Sequence, residues 1–205
     1  MLKKIKLIII GVAGLVSSLI ALEAPDMFMS RVTSEVILDI NQLPKDHQTN
    51  ELYSIIEGKI LPQVDISYMA KWVIGRKAWG DATSVDREEF TKLFTSLLTK
   101  TYSSTLLAFK DKKMNYYLTN KSDYLKSKNI QVMCKIDQPN KDPINVMYQL
   151  KRSGDQWKIF DVLVEGVSML KGLQAQFSES VSRGGIKAAI DLVEKKLKSG
   201  DTNAP

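Results

Sequence analysis

Apolar positions along the chain follow two rhythms, and the change between them separates a helical front, a strand-forming middle and a helical end. Over residues 26–43, Phe28, Val32, Val36 and Ile40 recur every fourth position, which places them on one face of a helix. Pro44 ends that helix. Residues 48–61 carry Leu52, Ile55, Ile56 and Ile60 on a second stripe, closed by Pro62. Ser67 is the expected N-cap of a short third helix over 68–74, with Met69, Trp72, Val73 and Ile74 apolar and Gly75 as its stop. Thr83 caps the next helix, whose first turn holds Asp86, Glu88 and Glu89, where the helix dipole favours negative charge. Its stripe of Phe90, Leu93, Phe94, Leu97, Leu98, Tyr102 and Leu106 keeps three- and four-residue spacing for more than four turns.

Near Lys112 the period shortens to two. Strands are expected over 114–119, 129–137, 144–152 and 157–164, separated by turn-rich residues 138–143 and by Ser153-Gly154-Asp155. An antiparallel meander connects them most simply. Ile144, Val146, Tyr148 and Leu150 line one face of the third strand, and Phe160, Val162 and Val164 one face of the fourth. From Ser168 the helical period returns, with Met169, Leu173, Phe177 and Val181 four apart. Gly184-Gly185 breaks it, and a last helix carries Ile186, Ile190, Val193 and Leu197 before a polar tail over 199–205. The layout is a single α+β domain over 25–198.

The first two dozen residues change the picture of where the chain works. A Lys-rich start, an uncharged stretch from Leu7 to Leu22 and small residues at Ala21 and Ala24 have the grammar of a secretory signal, assigned here to 1–24 with its cut imprecisely marked. Leu19 or Leu22 stands three residues before a cut, and Pro25 would follow one after Ala24. An uncleaved anchor competes, although the apolar stretch falls short of the roughly 20 residues that span a bilayer. Loss of Lys3, Lys4, Lys6 and Glu23 with the leader lowers the formal charge from +6 to +4. Basic residues are interspersed with acidic ones, which argues against nucleic acid as a partner.

Candidate chemistry is sparse. Cys134 is the single cysteine, so no intramolecular disulfide forms, and its alternation with Val132 and Ile136 makes it a buried structural thiol. The single histidine, His47, sits beside Asp46 in a polar stretch and reads as a surface residue, and no His/Cys zinc site or other metal site is expected. No Walker loop, dinucleotide glycine fingerprint, metalloprotease helix or nucleophile elbow occurs. Asn120-Lys121-Ser122 fits a glycosylation triplet and carries no weight. Asp161 and Glu165 are the nearest to enzyme-like carboxylates, with a solvent or turn-bonding role expected for Asp161. From periodicity alone, the apolar faces describe an ordinary core as well as a ligand cavity.

Residues 157–169, Trp-Lys-Ile-Phe-Asp-Val-Leu-Val-Glu-Gly-Val-Ser-Met, resemble the signature of the MlaC-type (toluene-tolerance) family of periplasmic phospholipid-binding proteins, and Gln176-Phe177 and Gly184-Gly185 follow at matching distance. A second block resembles the family's other segment: Leu61-Pro62-Gln63-Val64-Asp65, Met69-Ala70, Gly75, Trp79, Phe90, Phe94 and Thr101-Tyr102. The chain departs from the pattern at Gly172-Leu173-Gln174, where Asn-Tyr-Arg is common.

The resemblance implies an NTF2-like twisted antiparallel sheet of about four strands, packed with N- and C-terminal helices around an apolar cavity. It implies no enzyme activity, no cofactor and phospholipid as cargo, exchanged between an inner-membrane ABC-type transporter with an MCE-domain subunit and an outer-membrane lipoprotein–porin complex. Cavity lining is expected from Met69, Val73, Phe94, Leu98 and Tyr102 on the helices, and from Val132, Val146, Tyr148, Phe160, Val162 and Val164 on the strands. Val167, Met169 and Phe177 complete it at the start of the last helical region. Ser168 is expected to cap that helix, whose N-terminus at the cavity rim could also favour a lipid phosphate. The alternatives are a secreted isomerase-like enzyme on the same fold, which needs an acid in the cavity, and a carrier of another apolar ligand.

Overall fold

The computed structural model describes residues 22–44, 49–119 and 123–200. Most of the expected leader, His47, the Asn120-Lys121-Ser122 triplet and the end of the tail lie outside the described residues.

The amphipathic front folds as α1 (Pro25–Gln42), with Pro25 in the first turn, where its missing N–H leaves no bond unmade. Then come α2 (Thr49–Ile55), a π-helical turn (Ile56–Ile60) and a 3-10 turn (Leu61–Gln63). α3 (Ile66–Ile74) is capped by Asp65, whose carboxylate accepts from Tyr68 N at 3.0 Å, so the cap is two residues earlier than the expected Ser67. Gly75, at φ +82°, ends it and leads into α4 (Arg76–Asp81), a short helix that periodicity did not reveal. α5 (Ser84–Leu107) begins as expected, with Thr83 Oγ1 accepting from Asp86 N at 3.1 Å.

The strands are β1 (Met114–Leu118), β2 (Asn129–Gln138), β3 (Lys141–Ser153), β4 (Gln156–Val164) and a two-residue β5 (Val167–Ser168). They form one antiparallel meander in the order β1-β2-β3-β4-β5, one short strand more than expected. Glu165 and Gly166 both take positive φ, +48° and +81°, which makes the tight hairpin between β4 and β5 a primed turn whose twist suits the strands. α6 (Met169–Ser199) ends the fold. As expected, Gly184 and Gly185 leave helical geometry, at φ −147° and +64°, and break this run into two helical stretches joined at a kink.

One register detail decides which side chains share a face. Gln149 pairs with Asp161 and Leu150 with Ile159, so Phe160 is the extra residue of a β-bulge. Parity along β4 therefore shifts at Phe160. Trp157, Ile159, Val162 and Val164 share the inner face, while Asp161 turns away from it. The expected grouping of Phe160 with Val162 and Val164 is thus corrected: Phe160 lies against Tyr68 of α3, ring centroids 5.3 Å apart.

Two cores result. The helical one joins Val73 and Ile74 of α3, Phe90, Phe94 and Leu97 of α5, and Leu173, Phe177, Ile190 and Val193 of α6. Its centre is an aromatic triad, with Phe90 and Phe94 stacked at 5.5 Å and Phe177 edge-on to both. The other core lies on the inner sheet face, where Phe28, Met29 and Val32 of α1 cover Ile130, Val132, Leu150, Trp157 and Ile159.

Candidate functional site

The strand-to-helix joint around Asp161 gathers the family-like signature into one device. Burial of a carboxylate is costly unless its oxygens are satisfied, and Asp161 has three donors. Oδ2 accepts from Ser168 Oγ at 2.6 Å, and Oδ1 accepts from Leu170 N at 3.0 Å and Val162 N at 2.8 Å. Ser168 Oγ in turn accepts from Lys171 N at 3.1 Å, the N-cap bond expected of it. The α6 N-terminus therefore already holds a protein carboxylate, the Asp161 side chain, beside its Ser168 cap. Asp161 is buried and bonded to the helix start, which matches the turn-bonding role and removes the solvent one.

The rest of the signature makes joints of the same kind. Trp157, 1 % exposed, donates its indole N–H to Glu23 O at 2.9 Å. Lys158 Nζ donates to Pro62 O, and Asp65 N donates to Ile159 O at 2.8 Å beside a parallel bridge between Val64 and Ile159. The Leu61–Asp65 block thus edges β4 and launches α3. Lys151 ties the same corner, 2.9 Å from the Asp65 carboxylate and 4.5 Å above the Tyr68 ring. Glu165 accepts from Asn145 N across the sheet end.

The expected lining divides between the two cores. Val132, Val146, Tyr148 and Val162 come together on the inner sheet face, continuous with Cys134 and Tyr116. Val73, Phe94, Leu98 and Phe177 lie in the helical core, with Met69 and Tyr102 at its margin. Met169 is half-buried at the start of α6. Val164 and Val167 are 41 % and 72 % exposed and flank the β4–β5 turn. Sequence reasoning missed Phe28 and Met29 of α1, Tyr116 and Phe109 as neighbours of this face. The four-residue spacing of α1 marked a buried stripe but not the surface it covers.

The inner sheet face is protonically quiet. Burial pushes the Cys134 thiol up, away from the thiolate a nucleophile needs. Burial also raises Tyr116 and Tyr148 well above the ordinary phenol range, and Tyr116 shares a hydrogen bond of 2.6 Å with Thr33 of α1. Tyr102 is pushed up to about 12 by burial. Each of these tyrosines is favoured neutral in the fold, so their contribution is complete below the unfolded value of about 10. It is lost as pH rises from there toward the folded values. The urea midpoint should hold steady between about pH 7 and 9 and fall above about pH 10; a midpoint unchanged to pH 12 would contradict this.

α5 adds a hydroxyl stripe, Thr91, Thr95, Thr99 and Ser103, four residues apart. Thr91 and Thr95 donate back to backbone carbonyls one turn earlier, and Ser103 to Lys100 O. Thr99 Oγ1 and Tyr102 OH are buried without a partner among the described residues. Two open depressions, each about 530 Å³, lie elsewhere, along Asp191–Ser199 and at the sheet end by Lys135 and Asn145. No group of three or more metal-ligating side chains occurs among the described residues, and no described helix is long and apolar enough to cross a membrane.

A meander with a helical layer hung on β4, its two faces joined by a buried carboxylate, defines an α+β domain with apolar interior faces. A protein-family model described as MlaC protein matches residues 30–195, and the chain belongs to that family. It is 25 % identical over 182 residues to the "Intermembrane phospholipid transport system binding protein MlaC" of Haemophilus influenzae, covering 86 % of this chain and 83 % of the relative. It is 23 % identical over 168 residues to "Toluene tolerance protein ttg2D" of Pseudomonas putida, covering 81 % and 77 %. The fold matches, with TM-score 0.75 and 20 % identity, the solved structure of a phospholipid-binding protein from Ralstonia solanacearum in complex with a phospholipid, over 85 % of this chain and 97 % of that one.

Proposed function

We propose that the protein is a periplasmic carrier of phospholipid that shuttles between an outer-membrane lipoprotein–porin complex and an inner-membrane ABC-type transporter with an MCE-domain subunit, and so maintains outer-membrane lipid asymmetry. The observation that carries this reading is the family match over residues 30–195, which spans both cores and the joint between them. One relative is named for intermembrane phospholipid transport, and a protein of this fold was solved with a phospholipid.

Physical chemistry makes binding alone sufficient for the task. Exposing one long acyl chain to water costs on the order of 10 kcal/mol at about 0.8 per methylene, so a water-soluble carrier must enclose it. Transfer from a bilayer exchanges one apolar environment for another, which keeps the step reversible. The acyl chains lie against the inner sheet face at Val132, Val146, Tyr148 and Val162, which α1 uncovers as it parts from the sheet. A pocket that only binds supplies no free energy to bias exchange, so direction comes from the membrane partners.

Solvent extraction and mass analysis of the purified protein should release a two-chain phospholipid. Val146→Asp and Val162→Asp should each cut the retained lipid at least about tenfold while the circular dichroism spectrum stays native, because a carboxylate at that wall opposes acyl chains. Folded variants with unchanged lipid would refute the sheet face as the site. A non-lipid product formed by turnover, abolished by Asp161→Asn, would instead support the isomerase reading.

A further inference from the structure

The first described residues are built into the fold, and their contacts locate the boundary between leader and mature protein. Leu22 is 8 % exposed and packs in the sheet-face core with Phe28, Trp157 and Ile159. Glu23 O is the acceptor for the fully buried Trp157 indole. The Glu23 carboxylate receives Arg31 Nε at 3.0 Å and Nη2 at 2.8 Å, a paired approach that holds the segment along the first turns of α1. Ala24 is the N-cap residue of α1, and its carbonyl accepts from Phe28 N at 2.8 Å. A cut after Ala24 removes all of this. It strands a buried indole N–H, bares the apolar surface under Leu22, and leaves Pro25 as a charged terminus at a buried position.

We propose that the leader is severed on the N-terminal side of Leu22, so that Leu22, Glu23 and Ala24 belong to the mature domain. This rests on the export part of the function proposed above. The step is hydrolysis of one peptide bond by an endopeptidase that reads small residues one and three positions before the cut: water is consumed, the leader leaves with a new carboxyl group, and the mature chain gains an α-ammonium. Two bonds in the sequence lie on the N-terminal side of these contacts. One is Ala21–Leu22, with the small Ala21 before it but Leu19 in the outer reading position and the buried Leu22 as the new terminus. The other is Ser18–Leu19, where Ser18 and Val16 fill the two reading positions. The second leaves the new charge three residues before the buried Leu22 in the sequence. Cleavage acts on the emerging chain, and the fold then closes Leu22 over the sheet.

The full chain, leader included, should be expressed in a Gram-negative host, recovered from the periplasm and read by N-terminal sequencing and intact mass. A terminus between Leu19 and Leu22 is the expected result. A terminus at Pro25 or beyond on folded protein overturns the proposal, as does a chain that stays uncut and sediments with membranes. Lipid content measured on the same preparation reads the carrier function separately, so the two can fail independently. As a second measurement, leaderless chains starting at Leu22 and at Pro25 should be compared by thermal unfolding. The Pro25 chain should melt about 10 °C lower, from the lost indole acceptor and Leu22 burial together. Trp157→Phe, which has no N–H to strand, should narrow that gap, and equal melting of the two wild-type chains would overturn the structural basis of the boundary.

Discussion

Phe177→Ala is expected to lower the unfolding free energy by about 4 kcal/mol and the melting temperature by about 10 °C. Phe177 is fully buried and edge-on to both Phe90 and Phe94, so truncation opens a cavity at the meeting point of α3, α5 and α6 and forfeits two aromatic contacts. The walls cannot close over it easily, because α6 is fixed at one end by the Asp161 joint and α5 packs along its length. Urea unfolding monitored by tryptophan fluorescence gives the number directly. The same variant separates core from cavity. A side chain that merely lined a lipid pocket would be truncated at a cost below about 1 kcal/mol, with altered lipid capacity. A helical-core side chain costs several kcal/mol, and the surviving folded molecules keep their lipid.

Asp161→Ala should destabilise by about 3 kcal/mol, three times the roughly 1 kcal/mol expected for Ser168→Ala. Alanine leaves the Ser168 hydroxyl and the N–H groups of Leu170 and Val162 without their acceptor in a buried place. Asp161→Asn should fall between, since one amide oxygen can still accept from the two N–H groups while the hydroxyl reverses its role. Equal stability of Asp161→Ala and wild type, measured by the same urea titration, would show that the carboxylate does not hold β4 to α6. With its donors all supplied by the protein, Asp161 lacks the free geometry that proton transfer beside a substrate carbonyl requires.

Much of this architecture is legible in the chain because strong periodicity reports burial directly. The stripes of α1 and α5, the Thr83 and Ser168 caps and the meander follow from spacing and turn residues alone. What escaped notice depends on contacts distant in sequence. α4 spans only six residues and has no buried side chain to announce it. Asp65 displaced Ser67 as the cap of α3 because the chain there is already bonded to β4. The bulge is invisible to an alternation pattern, since Ile-Phe-Asp-Val reads equally well with Phe160 inward. Of the expected lining, the strand residues Val132, Val146, Tyr148 and Val162 do share a surface, whereas Phe94 and Phe177 follow an identical apolar rhythm for a different partner. Periodicity says which side of an element is dry but not what lies across from it.

The bulge at Phe160 also limits how the chain can change in length. Upstream of it Trp157 and Ile159 face α1; downstream, Asp161 must face away to meet Leu170. Loss or gain of one residue between Trp157 and Asp161 would swing the carboxylate into the apolar layer and carry Val162 out of it, breaking both cores in a single step. Insertions and deletions are therefore barred from this stretch and diverted to the β2–β3 turn at Pro139-Asn140 and the β3–β4 turn at Gly154-Asp155, where an added residue only lengthens a solvent-facing loop.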